Sequence, residues 1–380
     1  MTNEPKFTLG VEEEYLLLDK DSLQLISESP PGFMDACKDA LGSQVSPEFL
    51  SSQIEVDTRV CQNISEARED LSNLRRTIIS IADQFGIAPI AASTHPFADW
   101  SEQKATQRER YAHLEMEMQA AARRLLICGM HVHVGVEDDD LRIDLMNQMR
   151  YFLPHLLMLS SSSPFWEGQD TGLRSYRLTV FDALPRTGLP PIFESYADYQ
   201  RHVEVLTDAG IIEDASMIWW DIRPSVHYPT LETRILDVCT NIEDALCMAA
   251  LSTCLLRSLY RLRQQNQRWR IYNPMLLDEN RWRAMRYGFE YGLMDLAKSR
   301  LVSFDLLIEE IIELVTEDAE ALGCVYEVQH ARTILARGSS ADQQLAVYHQ
   351  AKSDGAGEEE ALRKVAEFLV SETAAGLAAA

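Results

Sequence analysis

Four short segments of this chain alternate polar with apolar residues, and their polar members are an unusual set. Successive side chains of an extended strand point to opposite faces. Over 7–19, Gly10, Glu12 and Glu14 therefore share one face, opposite Val11 and Tyr15. Over 50–58, Gln53, Glu55 and Asp57 oppose Ile54 and Val56. Over 127–136, Gly129, His131, His133 and Gly135 oppose Met130, Val132, Val134 and Val136. Over 229–238, Glu232 and Arg234 oppose Leu231, Thr233 and Ile235. Such strands belong in a largely antiparallel sheet with one face in the core. A plain solvated face would explain polarity, but it favours Thr, Lys, Ser and Arg over carboxylates and histidines beside glycines. Carboxylates gathered on one face repel each other unless cations sit among them. Oxygen-rich sites of this kind suit Mg²⁺, or Mn²⁺ where a histidine joins. Glu13 falls on the apolar side, where it is expected to cap a neighbouring loop or to mark a bulge.

The rest of the 380 residues bounds the setting. Lys and Arg total 35 against 59 Asp and Glu, a net charge of −24. That field repels nucleic acid and anionic membranes, and no partner of either kind is expected. An anionic substrate would need a local cluster of arginines or metal ions. Seven widely spaced cysteines with no CxxC pair support neither a zinc ribbon nor a disulfide framework, which fits a reducing cytoplasm. The first residues lack the apolar segment of a signal peptide, and no apolar run approaches the roughly 20 residues of a membrane span.

The remaining pattern predicts an α+β chain. Asn63 with Glu66 reads as a capping box for a helix carrying Leu71, Leu74, Ile78 and Ile81, closed by Gly86. A short strand is expected over 87–92, a charged helix over 104–126, and a helix over 141–160 that Pro154 should end or kink. Residues 163–192 read as a long ordered loop with a strand near 175–182, a length uncommon without a function. Strands follow at 216–223 and 229–238. Thr240 with Glu243 should cap a helix to about Gln267, and helices then continue to residue 373. The expectation is one catalytic domain over 1–373, strand-rich to 238 and helical from 239, with a frayed tail at 374–380. The helical part has apolar positions enough for a second subunit, a homodimer being the expected assembly.

Neither a Walker A sequence nor GxGxxG is present, so a nucleotide would not sit on a glycine loop. Metal-bridged phosphates over a sheet are the remaining mode. Arg174, Arg177, Arg186, Arg223 and Arg234 offer the planar donors that phosphates and carboxylates take. His131 and His133 could equally hold a hydrolytic zinc or be structural. Gly129 and Gly135 beside them permit close approach by a ligand or backbone.

These segments resemble a known family. Phe7-Thr8-Leu9-Gly10-Val11-Glu12-Glu13-Glu14-Tyr15, Ser52-Gln53-Ile54-Glu55-Val56 and Gly129-Met130-His131-Val132-His133-Val134-Gly135 are similar to strands of the type 2 glutamate–cysteine ligases, also called carboxylate-amine ligases. Ser175-Tyr176-Arg177, Leu184 to Pro191, Asp221-Ile222-Arg223-Pro224 and Leu231-Glu232-Thr233-Arg234 resemble later motifs, as do Glu279-Asn280-Arg281-Trp282, Arg286-Tyr287-Gly288 and Ser339-Ser340-Ala341-Asp342. The resemblance covers roughly 7–350. It implies a glutamine synthetase-like fold, whose curved antiparallel sheet lines a metal- and ATP-containing funnel with helices packed outside. It also implies ATP-dependent joining of a carboxylate, usually the glutamate γ-carboxylate, to an amine such as that of cysteine.

On that footing Glu12, Glu14, Glu55 and Glu232 are expected to hold divalent ions, with His131 or His133 as a further ligand or phosphate donor. Arg234 and Arg223 would stabilise the transferring phosphoryl group. Arg177 and Arg186 are candidates for substrate carboxylates, and Gln53, Asn280, Arg281 and Arg286 complete the substrate-binding set. Two rivals remain: a metal-dependent hydrolase built on His131 and His133, and a binding protein that keeps the fold without catalysis.

Overall fold

The computed structural model describes residues 4–106 and 118–377. At its centre lies a seven-stranded antiparallel sheet. Its strands are β1 (Leu9–Asp19), β2 (Val45–Pro47), β3 (Gln53–Asp57), β4 (Ile87–Ile90), β5 (Met130–Gly135), β6 (Ile222–Pro224) and β7 (Thr230–Thr233). They run in the order β6-β7-β5-β1-β3-β2, and β4 pairs with the second half of β1. All four alternating segments of the sequence are in this one sheet. The fold is α+β, a largely antiparallel sheet with helices packed on one face and a helical C-terminal third, as expected.

The apolar face is covered by helices. α1 (Ile64–Gln84) packs on β1 and β4. Asn63 caps it by accepting from Glu66 N at 3.0 Å, while the Glu66 carboxylate reaches back to Gln62 N rather than to the cap itself. Gly86 follows with φ +69°, which a glycine adopts without strain. The single helix expected over 141–160 is two: α2 (Asp139–Met149) and α3 (Leu153–Ser160). Pro154 sits in the first turn of α3, where its missing N–H costs nothing. Its ring would clash with the carbonyl four residues back, at Arg150, and that is where α2 has ended.

The strand expected near 175–182 is instead the short helix α4 (Arg177–Phe181). Its buried residues Arg177, Leu178 and Val180 follow a helical turn, and Ser163 Oγ accepts from Arg177 N. The strand over 216–223 is likewise broken: Trp219–Trp220 pairs in parallel with Thr187–Gly188, and only Ile222–Pro224 joins the main sheet. Residues 107–117 of the helix expected over 104–126 lie outside the described residues. Ala105, at its near end, bridges to Leu50, and the short helix Ala120–Arg123 stands near its far end.

The helical third begins with α5 (Ile242–Gln264), capped by Asn241 accepting from Glu243 N rather than by Thr240. By length and mean hydropathy of 1.2, α5 could cross a membrane, although charged residues interrupt its apolar run. In this fold it is the central core helix, with 83% of that apolar window buried against β1, β5, α1 and α3. α6 (Pro274–Tyr287), α7 (Ser340–Ser353) and α8 (Glu358–Ala374) follow. Ser339 and Asp342 form a capping box on α7, and Asp342 also holds Arg174 at 2.6 Å, pinning the long loop to this helix. All seven cysteines are buried and free.

Glu13 neither caps a loop nor marks a bulge. The register of β1 runs unbroken through it. Its side chain is fully buried and pairs at 2.6 Å with Arg75 of α1, itself fully buried. Arg75 also donates to the carbonyls of Cys239 and Thr240. The pair therefore rivets the sheet to α1 and to the start of α5.

Candidate active site

Register decides which polar side chains meet. Glu12 lies opposite His131 on β5 and Asp57 on β3. Glu14 lies opposite Glu55, Glu232 opposite His133, and Arg223 opposite Glu232. Directly opposed strand residues have Cβ atoms about 5 Å apart, and like charges so placed are destabilising. One continuous wall results, running from Arg223 and Glu232 through the histidines and Glu12 to Glu14 and Glu55.

The two ends of that wall differ electrostatically. At one end, Glu232 accepts from Arg223 Nε at 2.8 Å and from Arg234. Burial opposes its ionisation, but those two guanidinium groups hold its carboxyl far below the usual range. Glu12 receives His131 Nδ1 at 2.8 Å, and His133 Nε2 lies 2.9 Å from its other oxygen. Burial alone would raise Glu12, yet its contacts with both imidazoles keep it well below normal. Burial, with the charge of Arg234, pushes His131 down to about 4, so its ring is neutral near pH 7. For His133 burial works in the same direction, but Glu12 outweighs it and the pKa rises. His133 Nδ1 is 2.9 Å from Thr230 Oγ1.

At the other end the carboxylates outweigh the groups that favour their charge, which for Glu14 are Arg177, Arg234 and the Gly129 N–H that it accepts at 2.7 Å. Burial and the nearby Glu48 push Glu14 up to about 8. Burial, then Glu48 and Glu12, drive Glu55 well above normal. Burial and Glu12 raise Asp57 to about 7. Glu48 was not singled out by the sequence reading. It follows Pro47 of β2 in a stretch without alternation, and only the β2–β3 pairing carries it to this face.

Three overlapping triads place ligand atoms within 4.8 Å of one another: Glu12, Glu55 and His131; Glu12, His133 and Glu232; and Glu14, Glu48 and Glu55. Five carboxylates and two imidazoles, partly or fully buried and partly uncompensated, are a donor set that fits hard divalent cations of the Mg²⁺ and Mn²⁺ kind.

The other expected residues are engaged by the protein. Arg177 is buried, and its guanidinium lies over Gly129, where a Cβ would come within 2.4 Å of Nη2. It donates to the carbonyls of Arg234 and Ile235. The other glycine, Gly135, makes room for Thr8. The close approaches allowed by these glycines are thus made by the chain itself. The Gln53 amide donates to Ile127 O at 2.7 Å. Arg186 donates to Met217 O and lies over the Trp219 ring. Asn280 closes a two-bond pair with the Met294 backbone. Arg281 bridges Asp182 and Asp221. Arg286 donates to Gly172 O. None of these six is among the triads, though Arg177 feels the charge of Glu14 and of Arg234.

The family described as Glutamate-cysteine ligase family 2 matches residues 8–366. A protein of Rhodospirillum rubrum named "Putative glutamate--cysteine ligase 2" is 57% identical over 99% of this chain and 98% of its own. Among solved structures, a glutamate–cysteine ligase of Francisella tularensis in complex with AMP superposes with a TM-score of 0.69 at 12% identity, over 98% of this chain and 90% of that one. A bifunctional glutathione synthetase of Pasteurella multocida gives 0.66 at 13% identity, over 97% of this chain and 52% of that longer one. At such identities the structural likeness speaks for the fold alone, but the sequence matches go further: this chain belongs to the glutamate–cysteine ligase family 2.

Proposed function

We propose that this protein is an ATP-dependent carboxylate-amine ligase of the glutamate–cysteine ligase type, working as one catalytic unit over residues 1–373. The supporting observation is the wall itself: three overlapping oxygen-rich triads beside two arginines on one carboxylate. A carboxylate does not react usefully with an amine, because its oxygen is a poor leaving group. ATP with its divalent ions supplies the phosphoryl group that turns the glutamate γ-carboxylate into an acyl phosphate open to amine attack.

The residues have separable tasks. Glu14, Glu48 and Glu55 would hold one cation, and Glu12, His133 and Glu232 another, with His131 completing the set. With its ring neutral, His131 keeps its Nδ1 proton on Glu12 and leaves Nε2 as a lone pair. Arg223 and Arg234 would neutralise charge on the phosphoryl group in transfer, a role of positioning and electrostatics rather than covalent chemistry. Arg177 and Gln53 brace the wall through their bonds to the backbone of Arg234, Ile235 and Ile127. A carboxylate-rich donor set favours Mg²⁺ or Mn²⁺ over the zinc of a hydrolase.

A screen of carboxylates and amines, beginning with glutamate and cysteine, tests the reading through Mg²⁺-dependent ADP release. A pair that raises release above the ATP-only background supports it and names the substrates. Amide cleavage with Zn²⁺ and no ATP, alongside a silent screen, would replace it with the hydrolase.

A further inference from the structure

We propose that Tyr228 is the platform on which the nucleobase of ATP stacks, at the rim of the metal wall. The proposal rests on the ATP-ligase reading above and adds the binding subsite for the base.

The chain lacks a glycine loop that could bind a nucleotide through its phosphates and helix dipole, so the base needs a surface of its own. Strand β7 rises toward that surface. Glu232 holds Arg223 and Arg234, and Thr230, one step outward on the same face, meets His133. Tyr228 comes next, in the tight tip that joins β6 to β7. Its ring lies 6.2 Å from the His133 ring at an interplanar angle of 89°, which places it against the site rather than on the back of the sheet. Two backbone bonds fix the tip, from Ser225 N to Thr230 O and from Thr230 N to Tyr228 O.

Despite this anchoring, Tyr228 is 58% exposed, and Val226 beside it is 42% exposed. A rigidly presented aromatic ring, open to solvent and touching a candidate ligand histidine, is a surface that a planar apolar group can cover. From Glu232 to Tyr228 the chain rises on the order of 10 Å. A ribose and triphosphate can bridge that span with the terminal phosphate near Arg223 and Arg234. Stacking on an aromatic face discriminates little between bases, because every base has such a face. The site should therefore bind GTP nearly as well as ATP.

The test compares Mg²⁺–ATP with Mg²⁺–tripolyphosphate, which carries the phosphates without the base. Titration calorimetry measures both ligands on the wild type, Tyr228→Ala and Tyr228→Phe, with circular dichroism as a check on folding. Loss of one base–aromatic contact should weaken ATP binding by about 5- to 150-fold in Tyr228→Ala. Tripolyphosphate affinity should be unchanged, and Tyr228→Phe should restore ATP binding. An alanine variant that binds ATP as tightly as the wild type overturns the proposal while leaving the ligase reading standing. So does one that loses both ligands equally. A wild type that binds neither ligand removes the ligase reading and this proposal together.

Discussion

Gly129 has no room for a side chain. A Cβ there would lie 2.4 Å from Arg177 Nη2 and 3.0 Å from its Cζ, against a buried guanidinium bonded to two carbonyls. Gly10, on the neighbouring strand and the same face, is different: its nearest neighbour would be His133 Cβ at 3.8 Å, an ordinary contact. Gly129→Ala should therefore cost about 1–3 kcal/mol, as overpacking does, whereas Gly10→Ala should cost markedly less. Urea denaturation of the two variants checks this, and equal losses would contradict it. At this scale the sequence was legible where strand period alone decides a face, as for Glu12, Glu14, His131 and Glu232. It was silent where a partner is remote. Arg75, 62 residues from Glu13, explains that buried carboxylate, and no local pattern links the two.

Among the elements, α6 has a task that its surface pattern hides. The family resemblance puts Arg281 in the substrate-binding set. In the structure it bridges Asp182, at the end of α4, and Asp221, just before β6. The Asp221 carbonyl in turn accepts from Arg234 N and Ile235 N. The helical third thus holds the strand end that presents Arg234. Arg281→Met should destabilise the protein by about 3–5 kcal/mol, because it leaves the buried Asp221 carboxylate without its counter-charge. Adding Asp221→Asn should recover part of the loss, and thermal melts of the single and double variants measure the coupling. No recovery would mean that the clamp is not electrostatic. The misread strand at 175–182 has a related cause. Its apolar residues suit either period over so short a run, and the choice was made by tertiary contacts with Ser163 and Gly129.

Over the whole molecule, the carboxylate-rich end of the wall links stability to pH and metal. The raised values of Glu14, Glu55 and Asp57 mean that the folded protein holds more protons than the unfolded chain above pH about 4.5. His133, also raised, acts in the same direction once the pH passes 6.5. Without metal, stability should fall as pH rises from about 6.5 to 8. The depressed values of Glu12 and Glu232 give stability that is lost only on acidification below about 4.5, and the depression of His131 acts only below 6.5, so neither masks this window. The Tm in chelator should drop across it, and Mg²⁺ should raise Tm more at pH 8 than at pH 6.5. A flat or rising Tm in chelator would count against the wall as drawn.

The most direct test of the central claim is Mg²⁺-dependent ADP formation by Glu12→Gln and Glu232→Gln, each shown to fold by circular dichroism. If these carboxylates hold the ions that carry ATP, both variants lose ADP formation while remaining folded. A folded Glu12→Gln/Glu232→Gln double variant that turns over ATP at the wild-type rate would contradict the account.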